Sequence, residues 1–82
     1  MKFLLENSST YYLIEIVRVD NNRLIKNWKF DDEDDAWSFY DSIKAEAQEH
    51  ANYLNTLVEL SITVMDPMHE EELASEYFDY DE

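Results

Sequence analysis

Glycine is absent from this chain of 82 residues, and its absence excludes whole classes of chemistry. Phosphate-binding loops, dinucleotide-binding fingerprints and nucleophile elbows each need glycine at fixed positions, either for a positive φ or for close approach of the backbone. The EF-hand calcium loop also needs a glycine, at its sixth position. The sequence therefore contains none of these four kinds of site.

Cysteine is absent as well, so the chain has neither a disulfide scaffold nor a thiolate metal site. The two histidines, His50 and His69, have acidic neighbours but form no two-histidine helical motif, and we interpret them as incidental surface residues. No serine–histidine–aspartate grouping or flanking apolar pocket stands out. We expect a protein that is not an enzyme and that binds neither a metal ion nor a cofactor.

Long apolar runs are also missing. No stretch approaches the roughly 20 residues of a membrane span, and no basic segment leads into the apolar region of a signal peptide. The composition is nevertheless 45% hydrophobic and 15% aromatic, which is too apolar for a disordered acidic chain. The sequence predicts one soluble, cytoplasmic domain over residues 1–82.

Positive charge is scarce. Six Lys and Arg stand against 20 Asp and Glu, which gives a net charge of −14 at pH 7. The acidic groups of such a domain repel one another. We therefore expect the excess negative charge to bind a basic surface on a partner. The commonest large basic surface in a cell is one that holds nucleic acid. We therefore expect the partner to be a basic nucleic-acid-binding protein, and we expect no direct binding to nucleic acid.

Residue patterning predicts an α+β domain with the element order β-β-β-α-β-α, in which a small antiparallel sheet packs on one long helix. Alternation and β-branched residues predict strands over residues 2–6, 11–19, 23–30 and 57–65, with Asp20-Asn21-Asn22 as a hairpin turn. The long helix is predicted to begin at Asp31 or Asp32 and to end within residues 52–55. A short C-terminal helix is predicted from Asp66-Pro67 to Tyr77, followed by a frayed acidic tail over residues 78–82.

Two acidic clusters are the candidate binding residues. Across Asp31–Asp35, a helical rise of about 1.5 Å per residue gives a charge density close to that of duplex DNA, which carries one charge per ~1.7 Å. The alternative is a helix start that places acids against its own dipole. The predicted partner-binding residues are Asp31, Asp32, Glu33, Asp34, Asp35, Trp37 and Asp41 in the first cluster, and Glu70, Glu71, Glu72, Glu76, Tyr77, Asp79, Asp81 and Glu82 in the second.

The second cluster has its own alternative, a solvated helix face that continues into an acidic tail. The basic hairpin residues Arg18, Arg23, Lys26 and Lys29 are expected to pair with the chain's own carboxylates or to form the polar rim of an interface. The larger aromatic residues Tyr12, Trp28, Trp37 and Tyr53 are expected in the core or at its edge.

The whole-chain profile resembles a functional class, the small and strongly acidic inhibitors encoded by phages, which includes anti-CRISPR proteins and other DNA mimics. The features that match are the size, the lack of Cys and Gly motifs, the run Asp31–Asp35 and the acidic segment Glu70–Glu82. Such proteins share no common fold. The resemblance implies binding to a host nuclease or CRISPR effector in the host cytoplasm, with occlusion of the channel where nucleic acid would lie.

Together these observations lead us to expect a monomeric or dimeric inhibitor that acts by acidic DNA mimicry. Two alternatives use the same sequence features. One is an immunity protein or antitoxin that neutralises a basic toxin. The other is an acidic adaptor subunit of a larger assembly, for which pairing through the apolar strand at residues 57–65 would be the telling observation.

Overall fold

The computed structural model describes residues 10–81 of the chain, so the strand predicted at residues 2–6 lies outside the described residues. The elements are β1 (Tyr11–Arg18), β2 (Arg23–Phe30), α1 (Glu33–Ser42), α2 (Lys44–Leu54), β3 (Val58–Met65) and β4 (Glu70–Phe78). The four strands form one antiparallel sheet in the order β2-β1-β3-β4. Both helices pack on the same face of this sheet.

The predicted hairpin is confirmed. β1 and β2 pair antiparallel, and Asn22 in the connecting turn has a φ of 58°, in the left-handed region that asparagine tolerates where glycine is missing. The backbone N–H of Arg23 donates to the side-chain oxygen of Asn21 across 3.1 Å, which closes the turn.

The core lies between the helices and one face of the two central strands. Ile14 and Ile16 of β1 are fully buried. They pair with Ile62 and Leu60 of β3, so that alternate residues of both strands face the helices. The half-buried strand predicted over residues 57–65 is therefore confirmed.

The predicted element order is wrong, because residues 70–78 form a strand instead of a helix and the observed order is β-β-α-α-β-β. The cause is the turn at Asp66. Its carboxylate accepts hydrogen bonds from the backbone N–H groups of Met68 and His69 at 2.9 and 3.0 Å, and its own N–H donates to the carbonyl of His69. Asp66-Pro67 therefore closes a hairpin, and the backbone of β4 pairs with β3.

The single long helix is also wrong, because the chain breaks into two helices at Ile43. Ile43 has φ −95° and ψ 0°, and it is at once the C-cap of α1 and the N-cap of α2. Just before it, the hydroxyl of Ser42 donates to the carbonyl of Phe39 at 2.8 Å, an arrangement that bends helices. The apolar stripe continues through the break, since Ala36 and Tyr40 of α1 and Ala47 of α2 are all buried.

One end of the sheet positions the acidic residues. β2 and β3 end there, whereas β1 and β4 begin there, and the cross-strand row Phe30, Tyr12, Val64 and Glu71 marks it. We call this end of the sheet the acidic end.

Candidate functional site

The first acidic cluster lies where α1 leaves β2. Asp32 is the N-cap, with one carboxylate oxygen accepting a hydrogen bond from the backbone N–H of Asp35 at 3.0 Å. Glu33, Asp34 and Asp35 form the first turn, where the helix dipole favours negative charge, and all five acids from Asp31 to Asp35 are exposed. The cap therefore holds the cluster on a fixed helix terminus.

Trp37 and Asp41 lie farther along α1 and differ in their surroundings. The indole N–H of Trp37 donates to Glu33 at 3.3 Å, and its ring packs edge-to-face on Tyr40 with a centroid distance of 5.5 Å. Trp37 is half-buried, and its contact with Glu33 places it beside the first cluster. Asp41 is exposed and lies 3.5 Å from the ammonium of Lys44, which offsets part of its charge.

The residues of the second predicted cluster lie at two separate places along β4. Glu70, Glu71 and Glu72 are exposed at the acidic end, where the strand begins. Glu76 lies farther along, opposite Leu60, and forms an ion pair with Lys44 at 2.9 Å. Tyr77 is 62% exposed and pairs with Glu59 on the face of the sheet away from the helices.

The chain after β4 runs alongside α2 in the same direction. The backbone carbonyl of Asp79 accepts a hydrogen bond from the side chain of Gln48 at 2.6 Å, and the N–H of Asp81 donates to Asn52 at 2.8 Å. Asp79 and Asp81 are exposed. Glu82 lies outside the described residues. Asp79 and Asp81 therefore lie on the helix side of the sheet and far from its acidic end.

The structure thus brings together the runs Asp31–Asp35 and Glu70–Glu72, at opposite edges of the same end of the sheet. Three strand spacings separate β2 from β4, which is about 14 Å. Within residues 10–81, no Lys or Arg lies within ion-pair distance of either run. Neither run therefore forms an ion pair within the part of the chain that the structure describes, and Lys29 is the base that lies nearest to the first run in the sequence.

Asp66 also lies at the acidic end. The sequence pattern did not predict this position, because Asp66 was interpreted as a helix cap. It belongs to the β3–β4 turn, between the two runs. The two backbone hydrogen bonds from Met68 and His69 lower the pKa of its carboxyl below the ordinary value. Asp66 therefore adds a negative charge to the acidic end down to low pH. The dipeptide Asp66-Pro67 is also a turn signal, and it is the signal that could have identified this role.

The basic hairpin residues are spread along β1 and β2: Arg18 and Arg23 lie at the other end of the sheet, whereas Lys29 lies one residue from the row that marks the acidic end. Arg18 pairs with Asp20 and Lys26 pairs with Glu46, each at 2.8 Å, so two of the four bases contact the chain's own carboxylates as expected. Lys26 also lowers the pKa of the Glu46 carboxyl. Lys29 lies over the ring of Tyr11, with its ammonium 5.0 Å from the ring centroid. Arg23 has no carboxylate partner within residues 10–81.

The aromatic predictions hold for three of the four residues. Tyr12, Trp28 and Trp37 are partly buried against the core cluster. The prediction for Tyr53 was wrong, because its side chain is 85% exposed on α2.

Within the described residues, no group of three or more His, Asp or Glu side chains is arranged to hold a metal ion. In the same part of the chain, neither helix has the length and apolarity needed to cross a membrane. Comparison with protein-family models, with curated proteins and with solved structures finds no match to this chain.

Proposed function

We propose that the protein is a non-enzymatic inhibitor that binds the basic nucleic-acid-binding surface of another protein, such as a nuclease or a CRISPR effector. The observation that carries this proposal is the arrangement at the acidic end. Two carboxylate runs, Asp31–Asp35 and Glu70–Glu72, lie at its opposite edges without an ion pair in residues 10–81, and Asp66 lies in the turn between them.

The spacing of the two runs supports mimicry of a duplex. The two strands that lead into and out of the acidic runs, β2 and β4, are about 14 Å apart, three strand spacings, a separation comparable to the roughly 12 Å width of the major groove of B-DNA. A basic protein that contacts phosphates on both sides of a groove would find carboxylates at a similar separation. Its Arg and Lys side chains would donate charge-assisted hydrogen bonds to them.

The rigidity of the first run also supports the proposal. Asp32 caps α1, and Trp37 contacts Glu33, so the carboxylates start from a helix end that is already ordered. A preordered surface loses less conformational entropy when it binds than a flexible acidic tail does. The negative field of the two runs would speed association with a basic partner.

Capture from a lysate of the source cell tests the proposal. The immobilised wild-type chain is compared with a variant in which Glu70, Glu71 and Glu72 are changed to Gln and Asp31, Glu33 and Asp35 to the matching amides. We expect the wild type alone to retain a nucleic-acid-binding protein, which duplex DNA and rising salt release. Retention of the same proteins by the amide variant, or indifference to competing DNA, would refute mimicry at the acidic end.

An immunity protein or antitoxin would use the same charges, and a basic toxin encoded beside this gene would favour it. The adaptor alternative has less support. Both edges of β3 are hydrogen-bonded, one to β1 and the other to β4, so a partner strand would have to displace a neighbour to pair there.

A further inference from the structure

The outer strands β2 and β4 each have one edge that pairs with no other strand of residues 10–81. The N–H and C=O groups along such an edge are a template for a strand of another chain. Each strand of the sheet is antiparallel to its neighbour, so β2 and β4 run in opposite directions. A copy of the domain placed beside the first in the same orientation would therefore set its β2 antiparallel to β4 and continue the sheet.

The two outer strands carry opposite charge. β2 contains three bases and no acid, whereas β4 contains four glutamates and no base. The charges also lie in matching rows: one cross-strand row runs from Lys29 to Glu72, and another runs from Lys26 to Glu76. If the rows continue from one copy to the next, each of these lysines lies directly opposite the glutamate of its row. Opposite charges at such positions stabilise strand pairing.

The same alignment brings exposed apolar side chains together. Leu24 and Tyr77 are the two ends of one row, on the face of the sheet away from the helices, and they are 50% and 62% exposed. The ends of another row are Trp28 and Ala74, which are partly buried against the core on the helix side. Both pairs would meet where β4 of one copy adjoins β2 of the next, which removes apolar surface from water.

The net charge of −14 opposes association, and the acidic ends of adjacent copies would lie side by side. At an ionic strength of about 0.15 M the Debye length is about 8 Å, so repulsion between more distant charges is largely screened. Facing residues on paired strands have Cβ atoms only about 4.5–5.5 Å apart, so their attraction is screened less. Pairing of β2 with β2, or of β4 with β4, would instead place charges of one sign together.

We infer that a second copy of this chain binds at the sheet edge, with β4 of one copy pairing antiparallel to β2 of the next. The contact joins two different surfaces, so every bound pair still has one free β2 edge and one free β4 edge. Neighbouring strands rotate by about 20–25° in one sense, so four strands turn each copy by roughly 80–100° about the axis along which the sheet grows. Rotation about that axis closes no ring, and copies add without a fixed number. The inference does not depend on the proposed function.

Sedimentation of the full chain in about 0.15 M NaCl tests this inference. We expect the average mass to rise with protein concentration and to pass that of a dimer. Lys29→Glu and Glu72→Lys should each weaken association about tenfold, because like charges then lie opposite each other. An equimolar mixture of the two variants should recover it, since every facing pair in alternating copies again has opposite charge. Circular dichroism verifies that each variant is folded.

Glu15→Lys is the matched control for Glu72→Lys. It changes the net charge by the same amount, but it lies on the central strand β1. It should associate at least as strongly as the wild type, because it reduces the repulsion between copies and leaves both edges unchanged.

Cysteine cross-linking tests the alignment of the rows, since the wild-type chain has no cysteine. Within one copy, Leu24 and Tyr77 are three strand spacings apart, about 14 Å, which is too far for a disulfide. Oxidation of the double variant Leu24→Cys/Tyr77→Cys should therefore link successive copies into a ladder. Leu24→Cys/Met68→Cys is the control, because Met68 is 88% exposed but lies in the β3–β4 turn, and it should give no ladder beyond the dimer.

Three results would overturn the inference. The first is the mass of a single chain at every concentration, which would mean that the charges on β2 and β4 only protect the edges from pairing. The second is association of Lys29→Glu equal to that of the wild type, or a mixture with Glu72→Lys that does not recover it. The third is an equal ladder from both cysteine variants.

Discussion

Lys26 and Glu76 lie at the two ends of a single cross-strand row that spans the whole sheet, with Ile16 and Leu60 between them. Each forms an ion pair with the first turn of α2: Lys26 with Glu46 at 2.8 Å and Glu76 with Lys44 at 2.9 Å. The outer strands thus hold the start of α2 from both sides, directly above two core residues. The two pairs therefore flank the start of the helix, whose buried residues Ala47 and Ala51 pack on the core.

The first prediction concerns the strength of these two pairs. A double-mutant cycle on Lys26 and Glu46, with each changed to Ala, should give a coupling of about 0.2–1 kcal/mol, because both side chains are partly exposed and solvent screens them. Urea unfolding measures it. The Lys44–Glu76 cycle should give a similar value. Coupling above about 2 kcal/mol would place the pairs in an environment far less hydrated than their exposure indicates.

The second prediction concerns acid stability at the β3–β4 turn. Hydrogen bonds from Met68 and His69 lower the pKa of Asp66 below its ordinary value of 3.8. Its contribution to stability is therefore present above pH 3.8 and is lost as the pH falls through the lowered pKa. Asp66→Ala should lower the melting temperature at pH 6 and reduce the difference in stability between pH 6 and pH 2.5.

Asp66→Asn is the control for that experiment, because its side-chain oxygen still accepts both backbone hydrogen bonds but does not titrate. It should keep more of the stability at pH 6 than Asp66→Ala does. If both variants unfold at the same temperature, the carboxylate oxygens do not support the turn.

The third prediction concerns the first acidic run. Changing Asp32, Glu33 and Asp35 to Asn, Gln and Asn should leave the fold intact, because asparagine caps a helix about as well as aspartate does. The relief of repulsion should keep the melting temperature equal to or above that of the wild type. Affinity for the basic partner should fall by several kcal/mol, since loss of one member of a buried charge pair costs about 2–5 kcal/mol and rim charges cost less.

A matched variant that neutralises three acids elsewhere, Glu15, Glu49 and Glu59 to Gln, carries the same net charge. It should retain most of the partner affinity. Equal losses in the two variants would mean that total charge, and not the acidic end, determines binding.

The fourth prediction concerns salt. The self-repulsion of a domain of charge −14 is screened as the ionic strength rises, and the Debye length falls to about 10 Å at 0.1 M. The melting temperature should therefore be higher in moderate NaCl than in dilute buffer. An unchanged or lower melting temperature would show that the ion pairs at Lys26 and Lys44 outweigh the repulsion among the acids.

The elements that could be predicted from the sequence are those whose pattern is local. The alternating pattern of residues 57–65 and the turn at Asn22 each depend only on residues that are close together in the sequence. Helical spacing likewise predicts that Ala36 and Ala47 lie in the core, where both are buried. The break at Ile43 does not interrupt that spacing, so no periodicity could reveal it. Residues 70–78 contain helix-forming Glu and Ala, and they become a strand only by pairing with β3, a tertiary contact that overrides local preference.

The candidate site, like the fold, could be predicted from the sequence only in part. The two acidic runs are visible in the sequence, and Asp32 is one of the two predicted caps. Their common location at one end of the sheet depends on β4 being a strand that begins beside the end of β3. A helix over the same residues would have placed Glu70–Glu72 differently, so the error in the fold hid the arrangement on which the proposed function depends.

The pairing of β1 with β3 also has a kinetic consequence. The sheet consists of two local hairpins, β1–β2 and β3–β4, which meet only along the two central strands, and the helices lie between them in the chain. Hairpins and helices form rapidly, whereas contacts between distant residues form late. One acidic run belongs to each half, so the two runs reach the same end of the sheet only when β1 pairs with β3. An incompletely folded chain has all of its charge but lacks the spacing that would imitate a duplex.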